Sequence, residues 1–125
     1  MKKDFRHIDT PFYYYDTALL KATLDAICAA IASQPNYYVH YAMKANANPK
    51  LMQLIREAGF GVDCVSGGEI RTAIAEGFEA DSIMFAGVGK SDWEIRLALQ
   101  LGIFSFNVES LAELEVIQEL AEHEQ

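Results

Sequence analysis

A lysine that closes an apolar strand is the feature of this sequence best suited to chemistry. Lys44 follows the run Tyr38-Val39-His40-Tyr41-Ala42-Met43 and precedes Ala45-Asn46-Ala47-Asn48-Pro49. β-Branched and aromatic side chains predict a strand over 38–43, and the Asn/Pro cluster ends it. The lysine then lies at the carboxyl end of a buried strand, where α/β folds gather their active-site residues. An ammonium at the mouth of an apolar barrel loses solvation, which favours the neutral, nucleophilic amine. A surface lysine snorkelling off a strand end has the same pattern, and position alone leaves both readings open.

Alternation places Tyr38, His40, Ala42 and Lys44 on one strand face, with Val39, Tyr41 and Met43 on the other. Ala42 leaves room beside the lysine for a flat ligand. His40 lies one layer deeper and reads as a core histidine with its hydrogen bonds satisfied, since no further metal-ligating residue is spaced to join it. Asp63 ends the next strand. Its carboxylate either bonds the lysine or a ligand's polar edge, or caps the Ser66-Gly67-Gly68 turn. Cys64 faces the other way and reads as packing against helices. Gly67-Gly68 and Gly87-Val88-Gly89-Lys90 each precede a helix and offer backbone N–H groups to an anion, though neither completes a nucleotide fingerprint. Asn107 closes a later strand and could face the same mouth.

The elements that must position these residues alternate along the chain. An aromatic strand is predicted over 12–15, then a helix from Asp16 or Thr17 to about 33. After the Lys44 strand comes a helix over 49–58, opened by Pro49 and closed by Gly59. Further strands are predicted over 60–65, 82–86 and 103–108. Helices are predicted from Gly67 to Gly77, from Ser91 or Asp92 to Gly102, and over 110–122. Strand starts near 38, 60, 82 and 103 recur at intervals of 22, 22 and 21 residues. That rhythm predicts an α/β fold, a parallel (β/α)8 TIM-type barrel with right-handed crossovers; a doubly wound open sheet is the competitor. Four barrel strands are present where closure takes eight, so the expectation is about the first half of a barrel, a fragment of a longer protein.

At 125 residues and 51% apolar side chains, the chain is long enough for one packed domain. Ten basic against eighteen acidic residues, a net charge of −8, argues against nucleic acid as a partner. Glu109, Glu113, Glu115, Glu119, Glu122 and Glu124 read as the solvated face of a terminal helix. Cys28 and Cys64 fit neither a disulfide framework nor a metal site. No apolar h-region follows the basic N-terminus, so a secretory leader is not expected, and no segment approaches the ~18 apolar residues of a membrane span. A cytoplasmic protein is expected.

Four stretches resemble the consecutive signatures of one family. They are Tyr41-Ala42-Met43-Lys44-Ala45-Asn46, Val62-Asp63-Cys64-Val65-Ser66-Gly67-Gly68-Glu69, Phe85-Ala86-Gly87-Val88-Gly89-Lys90 and Phe106-Asn107-Val108-Glu109-Ser110. In this order they are similar to diaminopimelate decarboxylases, pyridoxal-phosphate enzymes of the fold-type III, alanine racemase-like group. The resemblance implies decarboxylation of meso-2,6-diaminopimelate to L-lysine, with pyridoxal 5'-phosphate as cofactor. It implies Lys44 as the Schiff-base lysine, with Asp63 beside the cofactor; Ala42, read above as leaving room for a flat ligand, joins them as a cofactor-binding residue. It also implies a homodimer of the complete protein acting on a small amino acid. Residues 1–15 would then carry a strand of a separate C-terminal β-domain, and 16–125 the first half of the pyridoxal-binding barrel.

The ornithine decarboxylase branch shares the lysine motif. Ornithine-, arginine- or carboxynorspermidine-type substrates are therefore the alternative, as is an inactive pyridoxal-binding homologue. A cofactor-free Schiff-base aldolase barrel would share only the strand-end lysine. The family's acidic partner of the pyridine nitrogen, stacking histidine, Gly-rich phosphate loop and partner-subunit cysteine lie beyond these motifs. This stretch alone is thus expected to bind the cofactor poorly and not to turn over.

Overall fold

The computed structural model describes residues 4–124; residues 1–3 of the expected N-terminal segment lie outside them. Helix α1 (Thr17–Ile31) starts where Asp16 Oδ1 accepts the N–H groups of Ala18 and Leu19, both at 3.1 Å. Strand β1 (His40–Ala42) leads through a 3-10 turn at Met43–Ala45 to α2 (Pro49–Glu57). Asn48 caps α2, Pro49 takes its first position, and Gly59 leaves it at φ 82°. Then follow β2 (Gly61–Cys64), α3 (Gly67–Ala75), β3 (Ile83–Phe85), α4 (Asp92–Leu101), β4 (Ser105–Phe106) and α5 (Leu111–His123).

The strands form one parallel sheet in the order β1-β2-β3-β4. Each strand lies beside the one before it, with no reversal of order. A doubly wound sheet would need a reversal at its switch point, so the sequential order selects the barrel progression. Register sets the two faces of the sheet. Val62 pairs with Ile83 and Cys64 with Phe85, and all four are 0% exposed beneath the helices. They share a core with Leu24 of α1, Met52 and Ile55 of α2, Ile70 and Ala73 of α3, and Ala98 of α4. Each such aliphatic or aromatic side chain gains roughly 1.5–3 kcal/mol by full burial. The other face carries His40, Ala42, Asp63, Met84 and Ser105, all half-buried with no helix over them.

Three expectations change. Residues 12–15 form no strand; they run extended with Tyr13, Tyr14 and Tyr15 exposed, because no neighbouring strand shares their ladder. Strand β1 covers three residues rather than six, so of the expected facing set only His40 and Ala42 lie on a strand. Strand β4 likewise shrinks to two residues. Both are edge strands, bonded on one side only, and lose their ends accordingly.

Gly61 marks the tightest approach in the sheet. A Cβ there would stand 2.4 Å from the Ser82 carbonyl oxygen and 2.6 Å from the His40 ring. Gly61→Ala should therefore destabilise the fold by about 2 kcal/mol or more. A urea-unfolding midpoint equal to the parent's would contradict that packing.

Candidate functional site at the carboxyl ends of the strands

The chain turns sharply where β1 ends. Met43, 1% exposed, anchors the 3-10 turn in the helix-covered core, and its neighbour Lys44 is left exposed. The loop that follows is fastened twice. The Tyr41 hydroxyl donates to the Asn46 carbonyl at 3.1 Å, and Asn46 Nδ2 donates to the Tyr15 hydroxyl at 3.0 Å. Burial raises the Tyr41 phenol pKa, against the opposing effect of its bond to Asn46. Lys44 itself makes no hydrogen bond or ion pair with any described residue. The desolvated amine expected from a barrel mouth is not found in this chain, because nothing described covers the turn.

Asp63 lies opposite Ala42 in the β1–β2 register, on the uncovered face. Its Oδ1 is buried and has no hydrogen-bond partner. A carboxylate oxygen removed from water without a donor is costly, so this atom is suited to receive one. Asp63 does not cap the following turn. Ser66 Oγ accepts the Glu69 N–H at 3.2 Å, while Glu69 Oε2 accepts the Val65 N–H at 2.7 Å.

The first of the two expected anion sites is taken by the protein's own groups. Glu94 Oε1 accepts the Gly67 N–H at 2.7 Å, so a carboxylate from α4 already occupies the N-terminus of α3. The Trp93 ring packs so closely there that a Cβ on Gly67 would lie 2.6 Å from it. In the second loop the Lys90 side chain turns inward, 1% exposed, onto Glu113. Asn107 follows β4 and is exposed, and its carbonyl is one of the acceptors of Lys90.

Cys64 packs as expected. Burial, with Glu69 and Asp63 adding to it, pushes its thiol up to about 12. His40 differs from expectation. It is half-buried, stacks on Phe104 at 6.0 Å between centroids, and has no hydrogen bond to a described residue. It helps line a 510 Å³ cavity with Tyr37, Tyr38, Gly61 and Phe104, at the amino ends of the strands and away from Lys44. No cluster of metal-ligating side chains occurs among the described residues, and no helix there is long and apolar enough to cross a membrane.

Sequence reasoning missed Glu69, Glu94 and Glu113. Their signal was present: Ser66/Glu69, Ser91/Glu94 and Ser110/Glu113 share the Ser-x-x-Glu spacing of helix starts. Each glutamate accepts a backbone N–H at the start of its own helix, and two of them also reach back to the preceding βα unit.

An unengaged amine, a small Ala42 and an orphaned carboxylate oxygen fit a flat aldehyde cofactor with a polar ring edge. Residues 20–125 match the family described as pyridoxal-dependent decarboxylase, pyridoxal binding domain, and the chain belongs to that family, whose cofactor is pyridoxal phosphate. The chain is 65% identical, over 94% of its length, to a diaminopimelate decarboxylase of Bacteroides thetaiotaomicron, and spans 30% of that relative. The crystal structure of diaminopimelate decarboxylase from Helicobacter pylori complexed with L-lysine superposes with a TM-score of 0.86 at 38% identity, over 95% of this chain and 30% of that one. A decarboxylase of an L-glutamyl acyl-carrier protein from Niallia circulans is 38% identical over 95% of this chain, which covers 27% of it.

Burial raises the pKa of Glu94, but bonds from the Gly67 N–H and from the Ser91 hydroxyl and N–H outweigh it, leaving the carboxyl below its ordinary 4.5. A depressed carboxylate stabilises the fold above its unfolded pKa and loses that contribution as pH falls through the folded value. Glu94→Gln should cost about 1 kcal/mol near neutral pH, the difference between a charged and a neutral acceptor. The gap between parent and variant should close as pH falls below 4.5, read from thermal melts in a pH series.

Proposed function

We propose that this chain forms the lysine-bearing part of a decarboxylase that converts meso-2,6-diaminopimelate to L-lysine. The observation that carries the reading is the orphaned Oδ1 of Asp63, opposite Ala42 in the register, with Lys44 exposed and unpartnered in the turn two residues beyond Ala42. The similarity to named diaminopimelate decarboxylases supports it.

In this reading Lys44 is the residue that would hold pyridoxal phosphate, through its side-chain amine. Ala42 keeps the space beside that bond clear for a flat ring. Asp63, with its orphaned Oδ1, would accept a hydrogen bond from the bound group. When bound, pyridoxal phosphate supplies the electron sink for the pair left behind as CO2 departs. The turn at Met43–Ala45, pinned by the buried Met43 and the Tyr41–Asn46 bond, holds the backbone that carries the amine in one place. The Lys44 side chain is also the group on hand to move a proton to the product.

Three further assignments belong to the same reading. Residues 1–15 contribute a strand to a separate β-domain, supported by the extended, exposed run at 12–15. The complete enzyme is a cytoplasmic homodimer, as the resemblance implies. The 125-residue stretch alone does not turn over, since one face of its sheet is uncovered and the chain spans about 30% of its relatives. A different carboxylated amino compound as substrate is the second reading, favoured by the Niallia circulans relative.

The complete gene product should be incubated with pyridoxal phosphate, reduced with borohydride and mapped by mass spectrometry, with CO2 release from meso-diaminopimelate measured alongside. A pyridoxyl group on Lys44 together with turnover is the expected result, and Lys44→Ala should abolish both. Labelling without turnover would move the assignment to the second reading or to an inactive homologue. Absence of label at Lys44 would refute the assignment of that residue.

A further inference from the structure

Lys90 has an environment opposite to that of Lys44. Its side chain is 1% exposed, and its ammonium donates to the Gly87 carbonyl at 2.8 Å, the Asn107 carbonyl at 2.8 Å and Glu113 Oε1 at 2.5 Å. An ammonium has three N–H groups, so none remains for an outside anion. The Phe85 ring lies under it, 5.4 Å from Nζ to centroid. The three acceptors come from three pieces of chain: the loop after β3, the loop after β4 and the first turn of α5. The second oxygen of Glu113 accepts the Glu109 N–H at 3.0 Å, which draws the β4 loop further into the same knot.

We propose that Lys90 is a positioning residue that sets the spacing of the loops 87–89 and 107–109 at the mouth of the sheet. Those loops then shape the part of the site that receives the substrate away from Lys44. Strand spacing decides which part of the ligand this affects. At about 4.8 Å per strand, β3 and β4 stand roughly 10 and 14 Å from β1. That is too far to touch the bond at Lys44, yet within the span of a cofactor joined to an amino-acid substrate. Loss of Lys90 therefore acts on substrate handling and leaves cofactor attachment intact. The inference rests on the reading of Lys44 as the cofactor lysine.

The test compares Lys90→Met with the double variant Lys90→Met/Glu113→Gln in the complete holoenzyme. The single variant leaves a carboxylate half-enclosed and unpaired, which by itself destabilises. The double variant removes both charges and keeps a carbonyl for the Glu109 N–H. In both, deuterium uptake should rise in peptides covering 86–90 and 107–110, with borohydride still labelling Lys44 fully. KM for meso-diaminopimelate should rise about 10-fold or more, since small misplacements at a site are costly. The double variant should regain melting temperature without regaining KM. A double variant with parental KM would reduce Lys90 to a purely structural role and overturn the proposal. Unchanged uptake in the two loops would overturn it as well. If the parent itself carries no label on Lys44, the cofactor reading fails, and the uptake measurement still decides whether Lys90 holds the loops.

Discussion

The arrangement of this chain depends on the sealing of one face of a short parallel sheet. With a side-chain period of two, Val62, Cys64, Ile83 and Phe85 enter the helix-covered core while Asp63 and Met84 are turned the other way. A slip of one residue in β2 would drive Asp63 into that core and bring Val62 and Cys64 out. An unpaired carboxylate in an apolar interior costs several kcal/mol, and two buried apolar side chains would be lost with it. The register is thus enforced by burial, and the register is what places an acid across from Ala42 and next to the Lys44 turn.

The mouth of the sheet is stitched by carboxylates belonging to the protein. Each of α3, α4 and α5 starts at a Ser-x-x-Glu, and the glutamate meets the partial positive charge and free N–H groups of the helix start. Glu94 extends one unit back to Gly67, and Glu113 one unit back to Lys90. Successive βα units are joined this way on the same side as the candidate site. Part of the chain's acidic excess therefore serves internal bonding, and the Gly67 N–H, at a loop that looks open to an anion, is already satisfied.

The two mouth lysines show how environment separates roles for one residue type. Lys90 spends every N–H on the protein and can only hold loops together. Lys44 spends none, and nearby Asp63 keeps a buried oxygen without a donor. A fold that satisfies its buried cation leaves these two groups unsatisfied, Asp63 opposite Ala42 in the register and Lys44 in the turn two residues beyond Ala42. Membership of the pyridoxal-binding family gives that exception a chemical meaning.

The order of elements, most helix starts and the two-residue alternation could be read from the sequence, because caps, Gly and Pro signals and side-chain periodicity act over a few residues. Lys44 was legible for the same reason, as a charge set between an apolar run and an Asn/Pro loop. The strand lengths were not, since β1 and β4 keep only the residues that a single neighbour can bond. Nor was the fate of Asp63, Glu94 and Lys90. Gly67 and Glu94 are 27 residues apart and Lys90 and Glu113 are 23 apart, so strand adjacency alone brings them together. By itself the sequence determined which residues could do chemistry and the rhythm that carries them. Only the tertiary structure decided which of those residues spend their hydrogen bonds on the fold and which remain free, because that depends on partners one βα unit away.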